Sequence, residues 1–192
     1  TLDVTAQQEA ERVINEKKVT LGDTISGALV AIDPSNGYVK ALVGGDDYYT
    51  NQTNLATGSG TDGGRPCGSS FKTFTLLSAL ENGISPQTMI DCGASATIPG
   101  TEYGSTEAPL QNIDNIDYGT RSIQRAFAVS SNTGFVRLQM ALGSDRVVEM
   151  AKRLGITSDI QPYASLSLGQ QNVTMLDMAS AYSVVGNGGT KY

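Results

Sequence analysis

Gly68-Ser69-Ser70-Phe71-Lys72, followed without a break by Thr73-Phe74-Thr75-Leu76-Leu77-Ser78-Ala79-Leu80-Glu81-Asn82-Gly83, is the stretch that organises the rest of the chain. Glycine permits a tight turn, serine suits a helix start, and a lysine three positions after Ser69 falls on the same helical face. The spacing predicts a hydroxyl beside an amine. Phe74, Leu76, Leu77 and Leu80 make most of the helix circumference apolar, and Asn82-Gly83 is a C-terminal stop. The helix is therefore expected to be buried, with Lys72 held in poor solvent.

Composition narrows what this pair can do. A chain of 192 residues suits one globular unit with a core, or one and a fraction domains. With 39% apolar and 17% charged residues it has the make-up of a folded protein, and its 22 glycines imply many turns. A net charge of −6 without a Lys/Arg cluster argues against nucleic acid or an anionic membrane as a partner. No run approaches the ~18 to 20 apolar residues of a spanning helix, and no signal-peptide pattern opens the chain. The chain is expected to be soluble, with any targeting segment lying outside it.

Histidine is absent, which removes every Ser-His-Asp and Cys-His mechanism and the usual zinc sites. A nucleophilic Ser69 would need a lysine or a carboxylate as its base. Cys67 and Cys92 could form one bridge in an oxidising compartment or stay free in a reducing one, and their number does not decide which.

Outward from this stretch, Thr5-Ala6-Gln7-Gln8 has capping-box spacing, and Ala6, Ala10, Val13 and Ile14 form a helical stripe to about Lys18. Residues 26–33 and 38–44 are apolar β-type runs joined by Pro34-Ser35-Asn36-Gly37 and predict a hairpin. The first run is almost continuously apolar, so it is expected to be a central strand covered on both faces. Residues 45–65 form a polar, glycine-rich loop. From Ile84 to Tyr118 there is little periodicity apart from a short strand near 96–98, and a connection this long is often functional. Residues 120–128 read as a short helix, Val129-Ser130-Ser131-Asn132 interrupts it, and 133–142 reads as a second helix. Further helices are expected over 144–154 and from Thr174 to about Val185, and Asn187 to Tyr192 looks like a turn entering a new strand.

A serine three residues before a lysine arises about once by chance in a chain of this length. Ser130-Ser131-Asn132 is equally cheap, and each alone reads first as a helix cap. Their settings carry more: one starts an apolar helix after a glycine, and the other sits at a helix break, a good place to present side chains.

With both motifs in place, the chain resembles the transpeptidase domain of penicillin-binding proteins, serine acyltransferases that cross-link peptidoglycan, whose serine-x-x-lysine and second serine motifs are known signatures. Thr1-Leu2-Asp3-Val4-Thr5 is similar to the usual start of the domain. Ala28-Leu29-Val30-Ala31-Ile32-Asp33-Pro34 with Ala41-Leu42-Val43-Gly44-Gly45 resembles the first hairpin of the bifunctional, class A branch, and Thr53-Asn54-Leu55-Ala56-Thr57 resembles the segment that precedes its nucleophile. Tyr118-Gly119-Thr120-Arg121, leading to Ser130-Ser131-Asn132-Thr133, and Leu166-Ser167-Leu168-Gly169, leading to Met178-Ala179-Ser180-Ala181-Tyr182, follow in the same order.

The resemblance implies a mixed α/β fold (α+β) with helices packed on an antiparallel sheet. It implies a D,D-transpeptidase that acts on peptidoglycan stem peptides ending in D-Ala-D-Ala and is acylated by β-lactams. Ser69 would be the nucleophile and Lys72 its base, with Ser130 passing the proton to the leaving amine. Asn132 and Ser70 would contact substrate, and the Ser69 N–H would form half of an oxyanion hole. No metal or organic cofactor is expected, and the implied location is the extracytoplasmic face of a bacterial membrane, with the anchor outside this chain.

The chain departs from the pattern twice. Cys67 stands where the family commonly has proline, and is read as half of a Cys67–Cys92 bridge, a quiet buried thiol or, least favoured, a reactive one. The family's third motif, Lys-Thr/Ser-Gly, occurs nowhere in the sequence. The expectation is an N-terminal part of the domain spanning 1–192, with an unpaired apolar sheet edge completed by a C-terminal fragment of the same domain that carries that motif. A D,D-carboxypeptidase or β-lactamase of the same superfamily, and a non-catalytic β-lactam or cell-wall binding module, are the alternatives.

Overall fold

The computed structural model describes residues 2–22, 25–45, 47–49 and 51–192. Thr1, which belongs to the expected domain start, and Asp46 and Thr50 of the 45–65 loop lie outside the described residues. In chain order the elements are helix α1 (Val4–Leu21), strands β1 (Leu29–Asp33), β2 (Tyr38–Val43) and β3 (Arg65–Pro66), then a 3-10 turn (Gly68–Phe71) that runs into helix α2 (Lys72–Glu81). Strands β4 (Met89–Asp91), β5 (Ser95–Ala96), β6 (Leu110–Gln111) and β7 (Thr120–Ser122) follow, then helices α3 (Ile123–Ala128), α4 (Asn132–Leu142) and α5 (Ser144–Leu154). A 3-10 turn (Ala164–Leu168), strand β8 (Asn172–Val173) and helix α6 (Met175–Gly186) complete the series. The architecture is mixed α/β with small antiparallel sheets, as the resemblance implies.

Contacts divide the chain into two compact units, one of Thr1–Pro66, Lys152–Asp159 and Asn172–Tyr192, the other of Cys67–Ala151 and Ile160–Gln171. In the first unit β1 and β2 form the expected hairpin, paired from Leu29 with Val43 to Asp33 with Tyr38. Asp33 shapes the turn, accepting from the Ser35 amide at 3.0 Å and the Ser35 hydroxyl at 2.6 Å, while Gly37 takes a φ of 70° that disfavours other residues. Helix α1 packs on β2 through Ala6, Ala10 and Ile14 against Ala41 and Val43. Its Gln7 side chain also imitates a strand, with the amide oxygen accepting from Leu42 N–H at 2.8 Å and the amide nitrogen donating to Leu42 O at 3.1 Å. This covers the outer edge of β2.

Several expectations need correction here. Strand β1 is not central: it pairs only with β2 among the described residues, and all five of its residues are half-buried. Helix α6 packs against it, which accounts for its apolar run without a strand on its other edge. Helix α1 is capped by Asp3 rather than by Thr5, because the Asp3 carboxylate accepts from Ala6 N–H at 3.0 Å and the first turn begins at Val4. Residues after Asn187 form a turn and not a strand, closed by Thr190 N–H donating to Asn187 Oδ1 at 2.8 Å.

In the second unit, α2 packs on α4 and α3, and the 164–168 turn packs on α4. Phe71, Phe74, Ile123, Phe135 and Val136 are sealed from solvent, and the Phe71 and Phe74 rings meet edge to face at 4.7 Å. Leu80 is on the exposed side of α2, so the apolar circumference is narrower than expected. Thr120-Arg121-Ser122 is a strand, not the first turn of a helix: it pairs with Met89–Asp91, and Ser122 then caps α3 by accepting from Arg125 N–H. The expected short strand is β5, paired with β6. Among the described residues no helix is long and apolar enough to cross a membrane.

Candidate active site

All five expected catalytic and binding residues, Ser69, Ser70, Lys72, Ser130 and Asn132, lie in the second unit, and three backbone devices bring the side chains of Ser69, Lys72, Ser130 and Asn132 together. The first is a pair of glycines. Gly68 has a φ of 61° and donates its N–H to Gly169 O at 3.1 Å, and a Cβ on Gly169 would lie 2.2 Å from Gly68 O. Only two residues without side chains can approach so closely, and this turn sets Ser69 and Ser70 on the exposed 3-10 turn just ahead of α2.

The second device is the end of α3. Ser130 N–H donates to Phe127 O at 2.9 Å and Ser131 N–H to Ala126 O at 3.0 Å, the crossed bonds of a Schellman motif. Ser130 occupies the left-handed position of that motif with a φ of 54°, where glycine is the usual residue. The third device is the start of α4, where Ser131 accepts from Gly134 N–H at 3.1 Å. The helix-cap reading of this triplet is thus satisfied by Ser131, which leaves the side chains of Ser130 and Asn132 for other contacts.

Those contacts converge on Lys72, which is only 1% exposed. Its Nζ lies 3.0 Å from Ser69 Oγ, 2.9 Å from Ser130 Oγ, 2.7 Å from Ser130 O and 2.8 Å from Asn132 Oδ1. Burial lowers its pKa from 10.5 to about 8. The four neighbours differ in kind: the Ser130 carbonyl and the Asn132 amide oxygen can only accept, whereas the two hydroxyls can donate or accept. A neutral amine has two N–H groups and one lone pair. Giving both N–H groups to the acceptor-only oxygens directs the lone pair toward the hydroxyls of Ser69 and Ser130. The arrangement can take a proton from one hydroxyl and return it through the other.

Neither cysteine belongs to this chemistry. Cys67 and Cys92 are both free, so the bridge does not form in this structure. Burial raises the Cys67 thiol to about 11 and pushes Cys92 up as well, which keeps both protonated at neutral pH and removes the reactive-thiol reading. Cys92 is sealed against α4, where a Cβ on Gly134 would meet its sulfur at 2.6 Å.

Two sets of supporting residues were invisible in the sequence. Gln139, fully buried on α4, accepts from Ser167 N–H at 2.7 Å and Ser167 Oγ at 2.5 Å, and Thr75 lies 2.6 Å from the same hydroxyl. Because Ser167 gives its proton to Gln139, Thr75 donates, and α2 is tied to α4 through the 164–168 turn. The other set is Gln111 and Asn112, inside the aperiodic 84–118 stretch that offers no pattern to read: Gln111 O accepts from Asn132 Nδ2 at 3.0 Å.

With this geometry in place, residues 27–192 match the family model described as the penicillin binding protein transpeptidase domain. The chain belongs to this family. As a transpeptidase domain it is 33% identical over its whole length to penicillin-binding protein 2D of Bacillus subtilis, spanning 27% of that protein. Its fold superposes with a TM-score of 0.82 on the PonA1 protein of Mycobacterium tuberculosis in complex with penicillin V, at 29% identity, covering all of this chain and 51% of the other. An imipenem acyl-enzyme complex of penicillin-binding protein A from M. tuberculosis aligns with a TM-score of 0.70 and 28% identity, over 85% of this transpeptidase chain and 46% of that one. The chain spans about a quarter of the length of the curated relatives it matches.

Proposed function

We propose that the chain carries the nucleophilic half of a peptidoglycan D,D-transpeptidase site. The observation behind this is a sealed lysine between two serine hydroxyls in a chain without histidine. Ser69 Oγ attacks the carbonyl of a terminal D-Ala-D-Ala bond while Lys72 Nζ takes its proton. As the C–N bond breaks, Ser130 delivers a proton to the departing D-Ala amine and is reprotonated from Lys72. The ester on Ser69 is then attacked by an amine of a neighbouring stem peptide, which forms the cross-link and frees the serine. The Ser69 N–H stabilises the oxyanion, and a second donor comes from outside the motifs present here. Asn132 has one amide N–H on Gln111 O and a second that remains for a substrate carbonyl. Ser70 is exposed beside Ser69 and would contact the substrate there.

β-Lactams would acylate Ser69 in the same way. The substrate carboxylate would be held by a C-terminal fragment of the same domain carrying a Lys-Thr/Ser-Gly strand, and the working location would be the extracytoplasmic face of the bacterial membrane. The likeness to relatives in complex with penicillin V or acylated by imipenem supports this reading.

Intact-mass measurement of the full-length protein after penicillin treatment, with peptide mapping, tests it. The expected result is one adduct on Ser69 that persists for hours and is lost in Ser69→Ala. Rapid release of the adduct would favour the carboxypeptidase or β-lactamase reading, and no adduct at all would favour a non-catalytic binding module.

A further inference from the structure

Asn112 is 4% exposed and joins three separate segments of the second unit. Its Nδ2 donates to three carbonyls, Cys92 O at 3.1 Å, Gly93 O at 3.0 Å and Ile116 O at 2.9 Å. Its Oδ1 accepts from Asn132 N–H at 2.8 Å and Thr133 N–H at 3.2 Å, with the hydroxyls of Ser131 and Thr133 at 3.2 and 3.3 Å. Its backbone is engaged too, the N–H donating to Ala94 O at 3.0 Å and the carbonyl accepting from Asn115 N–H at 3.0 Å. The turn that follows holds Asp114 and Asn115 at φ values of 54° and 53°, a left-handed region that Asp and Asn tolerate better than other side chains, and returns the Ile116 carbonyl to the Asn112 amide.

The consequence for the site follows from what is gripped. Asn132 is held twice, through its backbone N–H by Asn112 and through its side-chain amide by the Gln111 carbonyl next door. That double hold fixes the Oδ1 that faces Lys72. Two residues before Asn132, Ser130 supplies two more of the four oxygens around Lys72 from a left-handed backbone that a serine side chain does not favour. Ser131, whose hydroxyl accepts from Gly134 N–H to cap α4, turns its own O–H on Asn112 Oδ1, so it too is oriented by Asn112.

We propose that Asn112 is a positioning residue for acyl transfer: it locks the Ser130–Asn132 turn against the Cys92–Ala94 segment, so that three of the four oxygens around the Lys72 amine keep the geometry that directs its lone pair at the serine hydroxyls. This rests on the Ser69 acyl-transfer reading above. Only an amide serves here, since the position needs an acceptor toward two helix N–H groups together with two N–H donors shared among three carbonyls. Asn112→Asp keeps the acceptor but turns an oxygen toward Cys92 O, Gly93 O and Ile116 O, and Asn112→Ala removes both functions.

The test is the pH dependence of Ser69 acylation by a fluorescent penicillin in the full-length protein, measured for the wild type, Asn112→Ala, Asn112→Asp and the control Gln139→Leu. The control breaks a buried network that does not touch the 130–132 turn. The proposal expects both Asn112 variants, counted per folded molecule, to acylate about 10- to 100-fold more slowly, with the pH midpoint displaced from the wild-type value. Gln139→Leu should lower the melting temperature and keep the wild-type midpoint. If one Asn112 variant does not fold, the other carries the comparison. If wild-type protein acylates and folded Asn112 variants match it in rate constant and midpoint, Asn112 is merely structural and the proposal is overturned. If wild-type protein itself is not acylated, the Ser69 reading has failed and this proposal falls with it.

Discussion

Among the described residues one carboxylate and one lysine are nearly sealed from water, one in each unit: Asp177 in the unit that holds the hairpin, 7% exposed, and Lys72 in the unit that holds Ser69, 1% exposed. Both pKa values are lowered, with opposite meanings. For Asp177 burial pushes upward, but four donors outweigh it: the N–H and hydroxyl of Ser158, each at 2.7 Å, and the hydroxyl and N–H of Thr157 at 2.9 and 2.8 Å. The carboxylate therefore stays charged and fastens the 157–158 turn to the start of α6. For Lys72 burial pushes downward, to about 8, and the surrounding oxygens do not reverse it. One site spends its hydrogen bonds on keeping a charge, as a structural anchor does, and the other keeps an amine near neutrality, as a base requires.

Replacing Lys72 should have the largest effect and fall on chemistry alone. Lys72→Met keeps the shape of the stem and should slow Ser69 acylation about 100- to 10,000-fold, measured with a fluorescent penicillin, without lowering the melting temperature. A melting temperature that fell with the rate would make Lys72 an anchor like Asp177. In the wild type, acylation should rise with pH through about 8, as the amine loses its proton. Stability should rise as well between about 8 and 10.5, because the unfolded chain binds that proton more tightly than the folded one across this window.

The converse holds for Asp177. Asp177→Asn leaves donors facing donors and should cost about 2 to 3 kcal/mol in denaturant unfolding, with the acylation rate constant of the folded protein unchanged. Its contribution is present above the ordinary carboxylate value of 3.8 and is lost as pH falls below it, so its pH slope lies at the acid end and that of Lys72 at the alkaline end.

The smallest expected effect separates geometry from chemistry at Ser130. Its left-handed backbone favours glycine, so Ser130→Gly should be about 1 kcal/mol more stable than Ser130→Ala, while both acylate slowly for want of the hydroxyl. Equal stability of the two would show that the turn stores no strain at that position.

The parts of this site that follow short-range rules were legible in the sequence. Ser69 and Lys72 meet because three residues make one helical turn, and α2, α4, α5 and α6 begin or end at serine, threonine, asparagine or glycine signals. Long-range pairing was not legible. Thr120-Arg121-Ser122 looked helical because its partner, Met89-Ile90-Asp91, lies far away in the chain, and β1 looked central because an apolar run does not reveal whether a strand or a helix covers it. Asn112 was hidden for the same reason: its value lies in seven side-chain contacts to segments that no local pattern connects to it.

Everything proposed for Ser69 depends on a Lys72 amine that titrates near neutrality beside it. An NMR titration of lysine-labelled full-length protein, with the Lys72 signal assigned by its loss in Lys72→Met, measures this directly. The expected midpoint is near 8; a midpoint near the ordinary lysine value of 10.5 would mean an amine that stays charged and cannot serve Ser69 as a base.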